Sequence, residues 1–263
     1  MFESGTAKGN SAGRKVCSGV DRAEISHTLQ ETSDEHDLLE DLRSHFGLRR
    51  CTGSLSVPVY RSRELTDATA HDVASMQTLG ITKIFDLRKQ AEREAAPEPD
   101  CITAAFEVCT CPIDLQGDEK RTRATFAQSI SVAYGQPGER MISLYGIMAS
   151  HADALRTIVW DIADAEQPVL VHCANGKDRA GIACASVQRL QGVSYENILE
   201  DYLLTNIYNE AMNQRDLRRH AGMMQPEELE VLRAMFEARK EYIDVFFSLI
   251  DERYGSFAAW MTR

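Results

Sequence analysis

Two spacings of apolar positions alternate along the chain. Short runs rich in β-branched residues are bounded by Gly, Pro or acidic clusters, and longer stretches carry apolar residues three or four apart. The first spacing predicts strands and the second predicts helices. Asp37–Leu42 is expected to be a short helix. Leu55–Tyr60 is expected to be a strand, with Pro58 placing it near a sheet edge. A helix is expected over Thr66–Met76, with Thr66 or Asp67 as N-cap and Gly80 as C-cap. Ile81–Leu87 and Phe106–Ile113 read as strands, the second ended by Pro112 and an acidic loop. Residues 115–137 are polar and interrupted by Gly and Pro, which suits a lid or a solvated excursion equally. A long helix is expected over Glu139–Ala163. Pro168–Cys173 has the continuous apolar run of a buried parallel strand. Ala174–Asp178 is then a tight loop, and Ala180–Leu190 a helix. Further helices are expected over Ser194–Tyr208, Pro226–Arg239 and Tyr242–Tyr254.

This order implies an α/β domain with a mostly parallel central sheet flanked by helices, and extra helices at the C-terminal end. Residues 1–33 are rich in Gly, Ser, Thr and charge. They read as a flexible extension with a short helix near Ala23–Leu29, leaving 34–263 as a single domain. The apolar run Tyr242–Ile250 suits either core completion or self-association.

Composition narrows the partners. Hydrophobic residues make up 43% and charged residues 26%, as in ordinary globular chains. The formal net charge of -11 argues against nucleic acid as a partner. An anionic ligand would need positive groups concentrated at its own site. No run reaches the roughly 20 apolar residues of a membrane helix. The N-terminus lacks the apolar stretch of a secretory signal, so a cytoplasmic location is expected. The seven Cys read as reduced thiols. Cys109-Thr110-Cys111 is too tight for a zinc knuckle and reads as alternating strand positions. Neither a metal nor a cofactor is expected.

The chemistry concentrates in His172-Cys173-Ala174-Asn175-Gly176-Lys177-Asp178-Arg179-Ala180-Gly181. A Cys ends a buried strand, and an Arg follows six positions later where a helix begins. A loop of this length can wrap one tetrahedral oxyanion. Its N–H groups form an anion nest, to which the helix N-terminus adds partial positive charge. The same field favours a thiolate nucleophile. Arg179 can grip two phosphate oxygens in a bidentate fork, and Gly176 lets the backbone turn. Phosphoryl transfer to Cys173 in line, protonation of the leaving oxygen and hydrolysis of the phosphocysteine would follow. Gly176-Lys177 lacks the residues of a nucleotide-binding P-loop.

This loop resembles the signature of the protein tyrosine phosphatases. Its Gly-Lys-Asp-Arg core resembles the atypical tyrosine and phosphoinositide phosphatases of bacteria and fungi. Tyr60–Leu65 is similar to that family's Arg-Ser segment. Leu79–Arg88, with Glu92 beyond, is similar to its Asp-Leu-Arg element. The resemblance covers about residues 57–210. It implies a fold like that of tyrosine and dual-specificity phosphatases, with Cys173 and Arg179 catalytic and Ala174–Arg179 binding phosphate. It also implies that Lys177 extends the range toward substrates with more than one phosphate. Asp178 matches a loop Asp assigned as general acid in this branch, and Asp114 is the alternative. His172, Asp86 and Arg88 are expected to support the loop, His172 by hydrogen bonding rather than as a base.

One position departs from the family. Ser or Thr usually follows the Arg and helps the Cys leave the intermediate, whereas this chain has Ala180. Slow breakdown of the phosphocysteine is the expected result. The leading reading is a phosphatase acting on phosphotyrosine, phosphoserine/threonine or phosphoinositides. The alternatives are a phosphate-binding pseudoenzyme or slow trap, and a phosphatase of small phosphate esters. Cys184 lies too far along its helix from Cys173 to be an easy disulfide partner.

Overall fold

A computed structural model describes residues 33–113 and 135–262. The chain divides into two units, Met1–Glu31 and Thr32–Arg263, and the described residues all lie in the second. The expected Ala23–Leu29 helix, most of the 115–137 segment and Asp114 fall outside them.

Helix α1 (Ser33–Phe46) precedes β1 (Arg49–Arg50), β2 (Val59–Ser62), α2 (Ala70–Thr78) and β3 (Lys83–Asp86). Two short helices, α3 (Gln90–Ala95) and α4 (Asp100–Ala105), lead into β4 (Glu107–Thr110). Then come α5 (Glu139–Ser150), α6 (Ala152–Ala163), β5 (Val169–His172) and α7 (Arg179–Leu190). The C-terminal part is helical: α8 (Tyr195–Leu203), α9 (Thr205–Tyr208), α10 (Glu210–Ala221), α11 (Pro226–Phe236), α12 (Lys240–Tyr254) and α13 (Phe257–Trp260). The sheet has five strands in the order β1-β2-β5-β3-β4. Only the β1–β2 pair is antiparallel.

Strand alternation explains the layers. Val59, Phe85, Val169 and Val171 point into one apolar cluster with α5, α6, α7 and α12. Their neighbours Tyr60, Ile84 and Leu170 point into a second cluster with α1, α2 and α4. Successive side chains in a strand face opposite sides, so strands covered on both faces are apolar throughout. Register places Ser62, His172 and Asp86 side by side at the C-terminal ends of β2, β5 and β3. The loops after these three strands therefore leave from one edge of the sheet, where open α/β folds build ligand sites. The Tyr242–Ile250 run completes the core: Tyr242, Ile243, Phe246, Phe247 and Ile250 are buried.

Several elements differ from expectation. The Leu55–Tyr60 strand is shifted to β2 (Val59–Ser62), just after Pro58 and next to the short edge strand β1. The proline lacks only a donor; its carbonyl accepts from the Val169 amide at 3.1 Å. Helix α2 starts later than Thr66, because Thr69 forms a capping box with Asp72, each side chain satisfying the other's backbone N–H. The Glu139–Ala163 helix is broken at His151, whose non-helical backbone separates α5 from α6. Helix α10 has no buried residue and so carries no apolar stripe to announce it. No described helix is long and apolar enough to cross a membrane.

Candidate active site

Cys173 follows the last residue of β5, with 2% of its surface exposed. The loop after it is moulded by its own carbonyls. The Cys173 carbonyl faces His172 Nδ1 at 3.4 Å, that of Ala174 accepts from the Glu64 amide at 3.2 Å, and that of Asn175 accepts from Asn209 Nδ2 at 3.0 Å. Each peptide plane that turns its C=O one way turns the next N–H the other way. The amides of residues 174, 175 and 176 therefore point away from these three partners. Gly176 has φ +63°, and a Cβ there would come within 2.4 Å of the Ser62 carbonyl oxygen. Only glycine allows this backbone approach to the end of β2.

Arg179 opens α7. Its guanidinium makes a bidentate pair with Glu92 of α3, at 2.6 and 2.7 Å. Burial opposes its charge, but the hydrogen bonds to Glu92 and the nearby Cys173 hold it above the ordinary arginine range. Glu92 is likewise pushed up by burial and more strongly down by Arg179, so it stays below the ordinary carboxylate range.

Lys177 reaches toward the end of α11. It is 3% exposed and donates to the Met235 carbonyl and, at 3.3 Å, to that of Glu237 at the end of α11. Burial holds its amine below the ordinary lysine range, against the pull of Asp178. Asp178 accepts from Tyr145 Oη at 2.9 Å, and Lys177 Nζ lies 3.5 Å from the same oxygen, Oδ1. Tyr145 is fully buried and also bonds Tyr202 Oη at 2.6 Å. Ala180 is fully buried at the first turn of α7.

Behind the loop, the Arg88 guanidinium is completely buried and spends every donor. It bonds both oxygens of Asp86 at 3.0 and 2.9 Å, Glu64 at 3.3 Å, the Ala96 carbonyl at 2.8 Å, and Glu98. Arg88 and Asp86 thus tie three loops together. They reach the phosphate loop through backbone: Leu87 N donates to the His172 carbonyl at 2.9 Å, and Arg179 reaches the Leu87 carbonyl at 3.4 Å. Asp86, Glu98 and His172 bring metal-ligand atom types within 4.8 Å of one another. The guanidinium of Arg88 already donates to both carboxylates, so a divalent cation would meet a fixed positive charge.

The structure thus brings together Cys173, Ala174–Arg179, His172, Asp86 and Arg88. Asp114 lies outside the described residues. Sequence reading missed the roles of Glu92, Glu98, Tyr145 and Asn209. Glu92 stood beside the Asp-Leu-Arg element and was visible there. Glu98, Tyr145 and Asn209 carry no local signal, because their partners lie at least ten positions away.

The Cys173 thiol at the end of β5 and the carboxylate-held Arg179 thus lie together at one edge of the sheet. Residues 56–263 match the profile described as the Tyrosine phosphatase family, and the chain belongs to that family. A Cupriavidus necator chain assigned by name to the tyrosine-protein phosphatases is 30% identical over 210 residues, 75% of this chain and 70% of the relative. The triple specificity protein phosphatase PtpB of Mycobacterium tuberculosis is 26% identical over 232 residues, 77% of this chain and 84% of PtpB. Among solved structures, TpbA of P. aeruginosa is similar at 19% identity and a TM-score of 0.32, covering 73% of this chain and 91% of that one.

Proposed function

We propose that this phosphatase works through Cys173, forming a phosphocysteine on phosphate monoesters without a metal or cofactor. One observation carries the reading: Cys173 lies close to the Arg179 guanidinium, and the carbonyls of residues 173–175 are bound elsewhere, which would leave the loop amides to an oxyanion. Phosphotyrosine, phosphoserine/threonine and phosphoinositides are the proposed substrates, and the name of the PtpB relative supports a broad range. Lys177 would have to release the Met235 and Glu237 carbonyls before meeting a second phosphate. In its present position it instead anchors α11 beside the loop. We assign the phosphatase domain to 34–263 and the site of action to the cytoplasm.

Asp178 is the proposed general acid, oriented by Tyr145. Asp178→Asn is expected to lower kcat/KM about 100-fold for esters with a basic leaving group and only slightly for an activated aryl phosphate. The same pattern in Asp114→Asn, with Asp178→Asn unaffected, would move the role to Asp114.

Ala180 favours a second reading, a slow phosphocysteine trap, since a buried methyl group offers no hydroxyl to the departing thiolate. The test of both is the early time course of aryl phosphate hydrolysis in a chelator. We expect a burst of about one aryl alcohol per enzyme and then a slower steady rate, as covalent intermediates give when their breakdown limits turnover. A burst with no steady rate would establish the trap. Activity that appears only when metal is restored would overturn the metal-free mechanism.

A further inference from the structure

His172 is completely buried beside Cys173, and both of its ring nitrogens face acceptors. Nδ1 lies 3.4 Å from the Cys173 carbonyl oxygen. Nε2 lies 3.4 Å from Glu98 Oε1 and 3.8 Å from Asp86 Oδ1. Nε2 and Glu98 Oε2 are both buried without a hydrogen-bond partner among the described residues. A neutral imidazole has one N–H and one bare nitrogen. With an ionised Glu98, that bare nitrogen would confront lone pairs.

Charge counting leads to the same place. The groups facing Glu98 are Arg88 and Asp86 from the β3 end, Glu64 from the loop after β2, and His172 from β5. Arg88 balances Asp86, while Glu64, 29% exposed, adds a further negative charge at the rim. The Arg179–Glu92 pair nearby is neutral as a unit. An ionised Glu98 beside a neutral His172 would leave net negative charge buried, which is costly. One proton must therefore reside between the two side chains. Burial pushes His172 down to about 4, with Arg88 adding to that and Asp86 opposing it. Burial pushes Glu98 up to about 7, aided by Asp86 and Glu64 and opposed by Arg88. The proton belongs on the carboxyl.

We propose that Glu98 is a positioning residue for the nucleophile: its neutral carboxyl donates to His172 Nε2 and fixes the ring with its proton on Nδ1, facing the Cys173 carbonyl. This rests on Cys173 being the nucleophile. The ring then holds the first peptide of the phosphate loop, and no charge is introduced behind the thiolate. Ionisation of Glu98 removes the donor and adds negative charge to the wall behind Cys173.

The test is nitrogen NMR of the histidine side chains in the full chain, with His172→Asn used to assign the signal. At pH 6 His172 should be neutral, with Nδ1 protonated and Nε2 accepting. Its Nε2 shift should step near pH 7 in the wild type and stay flat in Glu98→Gln, whose amide remains a donor. In parallel, kcat/KM of Glu98→Gln at pH 6 should stay within about twofold of wild type, while Glu98→Ala should lose about tenfold. Above pH 7 the wild type should decline relative to Glu98→Gln. An imidazolium at pH 6, a proton on Nε2, or a step that survives in Glu98→Gln would overturn the proposal. The wild-type spectrum alone decides this if the variants fail to fold. Should Cys173→Ser retain turnover, the nucleophile reading would fail while the His172 spectrum stayed as it is.

Discussion

Cys173→Ser is expected to lower turnover of an aryl phosphate on the order of 10⁴-fold or more, while phosphate still binds. A serine hydroxyl is far less acidic than a thiol, so a loop field that suffices to form a thiolate leaves the hydroxyl protonated. His172, the adjacent base by sequence, faces the Cys173 carbonyl with Nδ1 and Glu98 with Nε2. The amides of residues 174–176 and the Arg179 fork do not involve the sulfur, so inorganic phosphate should retain its affinity within a few-fold. Calorimetry with phosphate, beside steady-state turnover, separates the two effects. A serine variant that hydrolyses at more than about one per cent of the wild-type rate would sink the cysteine mechanism.

Arg179→Ala should lower kcat/KM about 10³-fold and weaken phosphate binding together with it. Two losses combine here. The bidentate donor to the equatorial oxygens disappears, and Glu92 becomes a half-buried carboxylate near the anion without its guanidinium partner. Arg179→Lys should recover little, because an ammonium cannot span both Glu92 oxygens and two phosphate oxygens. Glu92→Gln provides the contrast: the guanidinium stays but loses its orientation, and a loss of about tenfold is expected. Equal losses in Arg179→Ala and Glu92→Gln would mean that orientation, rather than charge, supplies what Arg179 contributes.

Legibility in the sequence followed locality. The strand, turn and helix of the β5–loop–α7 unit were legible, because Cys173, the turn glycine, Arg179 and the helix start lie within one continuous segment. The parallel sheet was legible from the apolar runs at Val169–Val171 and Ile84–Phe85, whose two-sided burial leaves no polar face. The place of β2 beside the short edge strand was anticipated from Pro58, but its bounds were set too early, because the apolar residues before the proline belong to no strand. Asp86 and Arg88 were recognised as a brace, but the fifth donor of Arg88 goes to Glu98, ten positions on. The setting of Lys177 was hidden for a similar reason. Its partners are backbone carbonyls some 60 residues downstream, and no side-chain pattern reports a carbonyl.

Strand β5 is only four residues long and is fixed at both ends: Val169 N bonds the Pro58 carbonyl, and the His172 carbonyl accepts from Leu87 N. Across a lineage, the loops on either side can gain or lose residues without disturbing either layer. The number of residues from Val169 to Cys173 cannot change. A single insertion there would exchange the two faces of the central strand and swing the thiol out of its cradle at once. Drift in this protein should therefore accumulate as length variation around β5 and as substitution, never length, within it.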